Sequence, residues 1–239
     1  MIWLAVDTAT DRASVALGTG VRDACEESLT GARRHASALL PMVDRLLRRG
    51  GLELGGVGGL LLSDGPGSFT GLRVGASVAK ALARARRLEV RIAPSLMVRA
   101  APHARPGEVT VAVANALRGE LYAAAYRFGS DAVETLVPPS VWRPERLIAE
   151  APRPDRIVGD GPPDALARLA EWAGRGVLSG AEGLPRAAWL LEVLHRAGGT
   201  RRVANLDLWE PEYGRPAEAQ ARWELAHGRP LPDSTGSPG

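Results

Sequence analysis

Residues 65–75 read Gly-Pro-Gly-Ser-Phe-Thr-Gly-Leu-Arg-Val-Gly, an order that few folds accommodate. A stiff glycine–proline turn leads into a helix whose opening turns again carry glycine. Ser68 is placed to cap that helix with its side-chain oxygen. A glycine inside a helix costs about 1 kcal/mol relative to alanine. Gly71 and Gly75 therefore imply a neighbour that comes unusually close. Ala79 and Ala83 continue the stripe, so the helix over 69–85 presents a small-residue seam, while Val74, Val78 and Leu82 pack another way. Just upstream, residues 58–62 form a short apolar run bounded by glycine and by Ser63-Asp64, the pattern of a buried parallel strand. Strand, tight turn and helix in succession point to an α/β architecture.

The flanking chain agrees. Residues 2–6, 13–17 and 21–29 read as an antiparallel meander, with turns at 7–11 and at Gly18-Thr19-Gly20. Residues 33–49 are helical: Leu39, Leu40, Val43, Leu46 and Leu47 recur on one face, Gly50-Gly51 ends the helix, and Pro41 should kink it. A strand over 88–92 and a short helix over 95–101 follow. After Pro102-His103-Ala104-Arg105-Pro106-Gly107 the pattern starts again. Strands are expected at 109–114, 121–126, 133–137 and 157–158, and helices at 144–150, 162–172 and 184–197. The second half thus partly repeats the first, strands then helices, without visible identity between them. The expected division is a first domain over 1–101, a second and smaller one over 108–215, and a tail over 216–239. The Pro, Gly, Ser and Thr of the last residues, from 228 on, should fray.

Composition removes several function classes. With 239 residues, 45% of them apolar, the chain can bury a core without a metal or disulfide staple. Cys25 is the only cysteine, which excludes an intrachain disulfide and a four-cysteine zinc site and makes a reducing, cytoplasmic home the simplest expectation. The first residues are not expected to form a signal peptide, and no apolar run approaches the ~20 residues that span a bilayer. The net charge of +3 permits a role near RNA without arguing for one, since the excess is arginine and Lys80 is the only lysine. Six Trp, three Tyr and two Phe are too scattered for a base-stacking platform. His35, His103, His195 and His227 never fall three or four residues apart, so no helix face offers a ligand pair. Cys25 sits among acids, a poor place to form a thiolate. Neither a Walker A loop nor a Gly-x-Ser-x-Gly elbow occurs. The expectation is a chain without catalytic residues, metal or cofactor.

Two acidic positions and one surface remain as candidates. Asp7 ends the first strand before a threonine-rich turn. Asp7, Thr8 and Thr10 are either a remnant of a nucleotide phosphate-binding hairpin or an Asx turn that satisfies local amides. Glu120, beside Tyr122, is either a buried functional carboxylate or an edge-strand charge. The seam packs in part on the first helix. That helix carries a second compact stripe, His35, Ala38 and Met42. Two adjacent helices with spare compact faces are half of a helix bundle, and a partner would supply the rest. The expected docking residues are His35, Ala38, Leu39 and Met42 on the first helix, and Phe69, Gly71, Leu72, Arg73, Gly75, Ala76 and Ala79 on the second. Without that partner, the face is expected to close on a second copy as a homodimer.

These motifs carry a family resemblance. Asp7-Thr8-Ala9-Thr10, then Arg34-His35-Ala36-Ser37 with Leu40-Pro41, then the glycine segment Gly65 to Arg73, are similar to the bacterial TsaB (YeaZ) family. Asn115-Ala116-Leu117-Arg118-Gly119-Glu120-Leu121-Tyr122 resembles that family's Asp-Ala-Arg-x-x-Glu-Val-Tyr, and Pro211-Glu212-Tyr213-Gly214-Arg215 its Pro-x-Tyr-x-Arg close. Asn115 and Leu117 stand where the family usually has Asp and Arg, and Gly214 and Pro216 vary the close. The resemblance implies the actin/Hsp70/sugar-kinase fold with two similar α/β domains. It implies a non-catalytic subunit of the complex that makes N6-threonylcarbamoyladenosine at position 37 of tRNAs reading codons that begin with A. The paralogue TsaD would carry the metal and the chemistry, TsaE, an ATPase, would dock on the pair, and tRNA would be met through the complex. Asn115, Arg118 and Glu120 become candidate cleft residues on the same ground. The rivals are a small-molecule kinase of the same fold and a glycoprotease-like peptidase.

Overall fold

The computed structural model describes residues 1–31 and 35–214. The start of the helix expected from 33, including Arg34, and the tail from Arg215 on lie outside the described residues. The first half opens with β1 (Trp3–Asp7), β2 (Arg12–Gly18) and β3 (Cys25–Thr30), an antiparallel meander. Helix α1 (His35–Arg49) crosses to β4 (Gly59–Ser63), which pairs parallel to β1. Helix α2 (Phe69–Arg86) crosses to β5 (Glu89–Ala93), parallel to β4. A short helix, α3 (Ser95–Ala100), then leads into the second half.

That half runs β6 (Val109–Asn115), β7 (Leu121–Phe128), β8 (Val133–Trp142), α4 (Pro144–Glu150), β9 (Arg156–Gly159) and α5 (Pro163–Ala173). Its sheet has the order β8-β7-β6-β9, and β6 and β9 are parallel. In the first sheet the matching stretch is β3-β2-β1-β4. The halves are therefore one motif used twice: a meander, a helix, a parallel strand and a second helix. The chain after α5 returns to the first half. Helix α6 (Ala188–Leu194) packs against β1, β2 and β4, and β10 (Arg201–Arg202) pairs antiparallel to β5. Residues 188–202, expected within the second domain, thus build on the first sheet.

The patterns explain most of this. β1, β4 and most of β6 and β7 are buried on both faces, as apolar runs in the middle of covered sheets must be. One apolar cluster lies between the first sheet and α1 and α2, a second between the two sheets with α3 and α6, and a third under α4 and α5. Three local expectations are corrected. β3 begins at Cys25, not 21, because Asp23 accepts from the amides of Thr19 (2.9 Å) and Gly20 (2.7 Å) and widens the turn. β8 continues past Pro138 and Pro139 because it is an edge strand with bulges, where a missing amide donor is tolerated. The helix expected over 184–197 shortens to α6, whose entry is set by Ser14 Oγ accepting from the Ala187 amide at 2.8 Å.

Arg99 on α3 ties the halves together. It is 3% exposed, and its guanidinium donates to the Val113 carbonyl and to Asp160 Oδ1 (2.5 Å). Hydrogen bonds to a charged group contribute about 1.5–3 kcal/mol. Arg99→Met is expected to lower stability by about that amount in a urea melt, and an unchanged midpoint would show the pair to be idle.

Candidate functional site

The glycine turn after β4 meets both the β1–β2 turn and the last described residues. The Ser63 hydroxyl donates to Asp7 Oδ2, and the Ala9 amide donates to Asp7 Oδ1 (3.2 Å). Asp7 is fully buried, and burial pushes its carboxyl above the ordinary range against those hydrogen bonds. The Ser68 amide donates to the Ala9 carbonyl (2.7 Å), and Ser68 Oγ caps α2 by accepting from the Gly71 amide (3.2 Å). Thr10 Oγ1 accepts from the Arg12 amide at 3.2 Å. Asp7, Thr8 and Thr10 are thus an Asx-type turn sewn onto the start of α2. Asp7 and Thr8 are both buried.

Above the turn lies a strap, residues 205–214. Asp64 is buried, and its Oδ1 accepts from Trp209 Nε1 (3.0 Å) and its Oδ2 from Arg201 (2.6 Å). The Glu212 amide donates to the Asp64 carbonyl at 2.7 Å. Gly65 has φ +107°, and a Cβ there would strike the Glu212 carbonyl, so the strap needs that glycine. The strap then runs antiparallel to α2: Asp207 pairs with Arg84, Glu210 with Lys80 (2.8 Å), and the Tyr213 ring lies 4.4 Å from that of Phe69.

Burial pushes the Asp64 carboxyl up to about 6, although Arg201 and the Trp209 indole pull it down. The unfolded carboxyl titrates near 3.9. A group that holds its proton to higher pH when folded adds stability that is full below the unfolded value and lost as pH rises through 6. The amount is about 3 kcal/mol across that window. Asp64→Asn, which keeps an acceptor for Trp209, is expected to flatten the fall in melting temperature between pH 4.5 and 7.5. A slope equal to the parent's would refute this.

The seam on α2 is filled from within. A Cβ on Gly71 would collide with the Thr8 carbonyl and one on Gly75 with the Thr8 hydroxyl. The close neighbour is the β1–β2 turn, not a partner. Leu72, Ala76 and Ala79 are also buried in the chain's own core, as are Leu39 and Met42 on α1. His35, 1% exposed, sits with Nε2 3.2 Å from the Asp11 carbonyl. Of the expected docking residues, Arg73 is exposed and Phe69 and Ala38 are half-buried. The open face lies one step round each helix. Ala36 of α1 and Phe69, Arg73, Val74, Ser77 and Val78 of α2 line a shallow groove of about 440 Å³. Leu40, assigned to the core by its spacing, is 50% exposed and shares the outer side of α1 with Ala36, four residues earlier. The Arg73 guanidinium lies 5.5 Å from the Phe69 ring centre at the groove's end.

A second concavity lies in the second half. The β6–β7 turn holds Leu117 (φ +64°) and Arg118 (φ +53°) in the left-handed region, followed by Gly119. Asn115 Oδ1 accepts from the Leu117 amide (2.9 Å), so Asn115 shapes the turn. Arg118 and Glu120 line a cleft of about 520 Å³ with Arg143 and Glu145 of the α4 start and Asp164 and Arg168 of α5. Arg143 and Arg168 were not legible as site residues. A repeated tripeptide was legible instead: Asp64-Gly65-Pro66 and Asp160-Gly161-Pro162 follow the equivalent strands β4 and β9. Each aspartate accepts from an arginine, Arg201 and Arg99 respectively. Among the described residues, no three His, Cys, Asp or Glu side chains gather as a metal ion would require. Nor is any described helix long and apolar enough to cross a membrane.

Residues 29–177 match the family described as TsaD, tRNA N6-adenosine threonylcarbamoyltransferase. The chain is 40% identical over 122 residues to the tRNA threonylcarbamoyladenosine biosynthesis protein TsaB of Haemophilus influenzae, an overlap of 50% of this chain and 51% of that protein. The matched stretch therefore spans about half the length of that curated relative. The Bacillus subtilis protein of the same name is 25% identical over 230 residues, covering 93% of this chain and 98% of the relative. The solved structure of YeaZ from Pseudomonas aeruginosa superposes with a TM-score of 0.67 at 27% identity, covering 97% of this chain and 96% of that one. The two mixed sheets with flanking helices are the actin/Hsp70/sugar-kinase architecture, and the chain belongs to the TsaB (YeaZ) branch of the threonylcarbamoyltransferase family.

Proposed function

We propose that this chain is a non-catalytic subunit of the machinery that installs N6-threonylcarbamoyl on adenosine 37 of tRNAs reading codons that begin with A. It pairs with a TsaD-type catalytic chain through the outer groove of α1 and α2. The observation that carries this reading is the groove itself. It is a largely apolar face on α1 and α2, lined by Ala36, Phe69, Val74 and Val78 with Arg73 at its end. The carboxylates beside that turn support a structural part for it, since Asp7 and Asp64 both bind groups of the chain itself. The chemistry then resides in the partner, and the present chain organises it.

The finer assignments follow from the same reading. The protein works in the cytoplasm, where tRNA is modified. Residues 1–101, joined by α6, β10 and the strap, form the docking domain, and β6 to β9 with α4 and α5 form the second domain. An ATPase of the TsaE type docks on the pair, and the free chain closes its groove on a second copy. The test is reconstitution: the TsaD-type chain, its ATPase and a threonylcarbamoyl donor are mixed with tRNA, with and without this chain. Modified adenosine is measured by mass spectrometry of the digested RNA. Turnover is expected only when this chain is present. Equal turnover without it would defeat the reading, and turnover by this chain without the TsaD-type chain would make it an enzyme.

A further inference from the structure

The repeat sets two turns in equivalent places, and they have been treated differently. In the first half, the β1–β2 turn packs directly on α2 because Gly71 and Gly75 leave room for Thr8. In the second half, α5 contains no glycine, and the cleft between it and the β6–β7 turn stays open at about 520 Å³. Its wall is charged. Arg118 comes from the turn, Arg143 from the residue before α4 and Arg168 from α5. Arg168 is held by Glu145. Arg118 and Arg143 make no ion pair with any described residue. Two successive non-glycine residues, Leu117 and Arg118, sit in the left-handed region, a strain that folds retain mostly where a site uses it.

Resting on the RNA-modification reading above, we propose that this cleft binds the sugar–phosphate backbone of an unpaired stretch of RNA, with Arg118 and Arg143 on phosphates and Asp164 accepting a ribose 2′-hydroxyl. Guanidinium groups match phosphate oxygens in charge and in planar geometry. A carboxylate on the same wall suits a ligand that carries hydroxyl donors beside its anions, which RNA does. DNA, which has no 2′-hydroxyl, offers nothing to donate to Asp164. The wall has no aromatic side chain, so a free nucleotide would leave its base uncovered, whereas a strand needs only its backbone held.

The test uses the full-length chain and an unstructured 12-nucleotide RNA carrying a fluorophore, with anisotropy followed across salt concentrations. The Arg118→Gln, Arg143→Gln double variant is expected to bind at least about tenfold more weakly. Losing two phosphate contacts should also make the slope of log affinity against log salt shallower by about 1.4, from ~0.7 per contact on a single strand. DNA of the same sequence should bind several-fold more weakly than RNA, and Asp164→Ala should erase that preference. Arg118→Glu serves as a second variant, and thermal melts check that each folds. Three results would each overturn the proposal: no RNA affinity in the parent chain, affinity unchanged in the double variant, or displacement of RNA as readily by AMP or polyglutamate. A parent chain that captures the TsaD-type chain but shows no RNA affinity counts against this proposal alone. Loss of capture counts against the accessory-subunit reading.

Discussion

Gly75→Leu is expected to lower the melting temperature of the isolated chain, and Gly71→Ala to do so as well. Elsewhere in a helix, glycine to alanine gains about 1 kcal/mol. Here the added carbon meets the Thr8 carbonyl at position 71 and the Thr8 hydroxyl at 75. Thr8 cannot retreat easily, because it follows Asp7, which is fixed by Ser63 and the Ala9 amide, and precedes the Ala9 carbonyl bound by the Ser68 amide. Overpacking of this kind costs about 1–3 kcal/mol and sometimes more. In a chain of this size each kcal/mol moves the melting temperature by about 2–4 °C. A thermal melt of the two variants reads the effect, and a melting temperature at or above the parent's would show that the turn yields.

The second large effect falls on association. Val78→Asp places a carboxylate in the apolar groove between α1 and α2. Val78 is only half-buried in the free chain, so the fold should lose little, within about 0.5–1 kcal/mol. Against a partner helix, the same carboxylate would be desolvated without a counter-charge. Central interface positions of this type cost 2 kcal/mol or more, a loss of about 30-fold in affinity. Sedimentation of the free chain and titration with the TsaD-type chain should both show the loss. Full affinity in a well-folded Val78→Asp protein would move the interface off this groove.

The element order was legible because each strand is a short apolar run between turn residues, and each long helix keeps its period. Ser68 as a cap was legible for the same local reason. The seam was visible too, since two glycines in a helix demand a close neighbour. Its occupant was not, because Thr8 lies more than sixty residues away and nothing local says that the first turn folds onto α2. Leu40 shows the converse failure: its spacing fits the apolar face of α1, yet it is 50% exposed, and of the groove's lining only Phe69 and Arg73 were expected to meet a partner. Burial of His35 depended on the Asp11 carbonyl, again a distant partner. The cleft in the second half was half visible. Arg118 and Glu120 lie in one motif, but Arg143 and Arg168 join them only through the pairing of β7 with β8 and the packing of α4 on α5. The repeated Asp-Gly-Pro was open to inspection, and it marks the two equivalent strand ends better than composition does.

Docking through the outer groove of α1 and α2 is tested most directly by hydrogen exchange of the full chain, free and saturated with the TsaD-type chain. At a dilution where the free chain is monomeric, the predicted result is new protection in peptides from His35–Arg49 and Phe69–Arg86, with the α4 and α5 region unchanged. Protection confined to Pro144–Glu150 and Pro163–Ala173, with α1 and α2 exchanging as in the free chain, would contradict it.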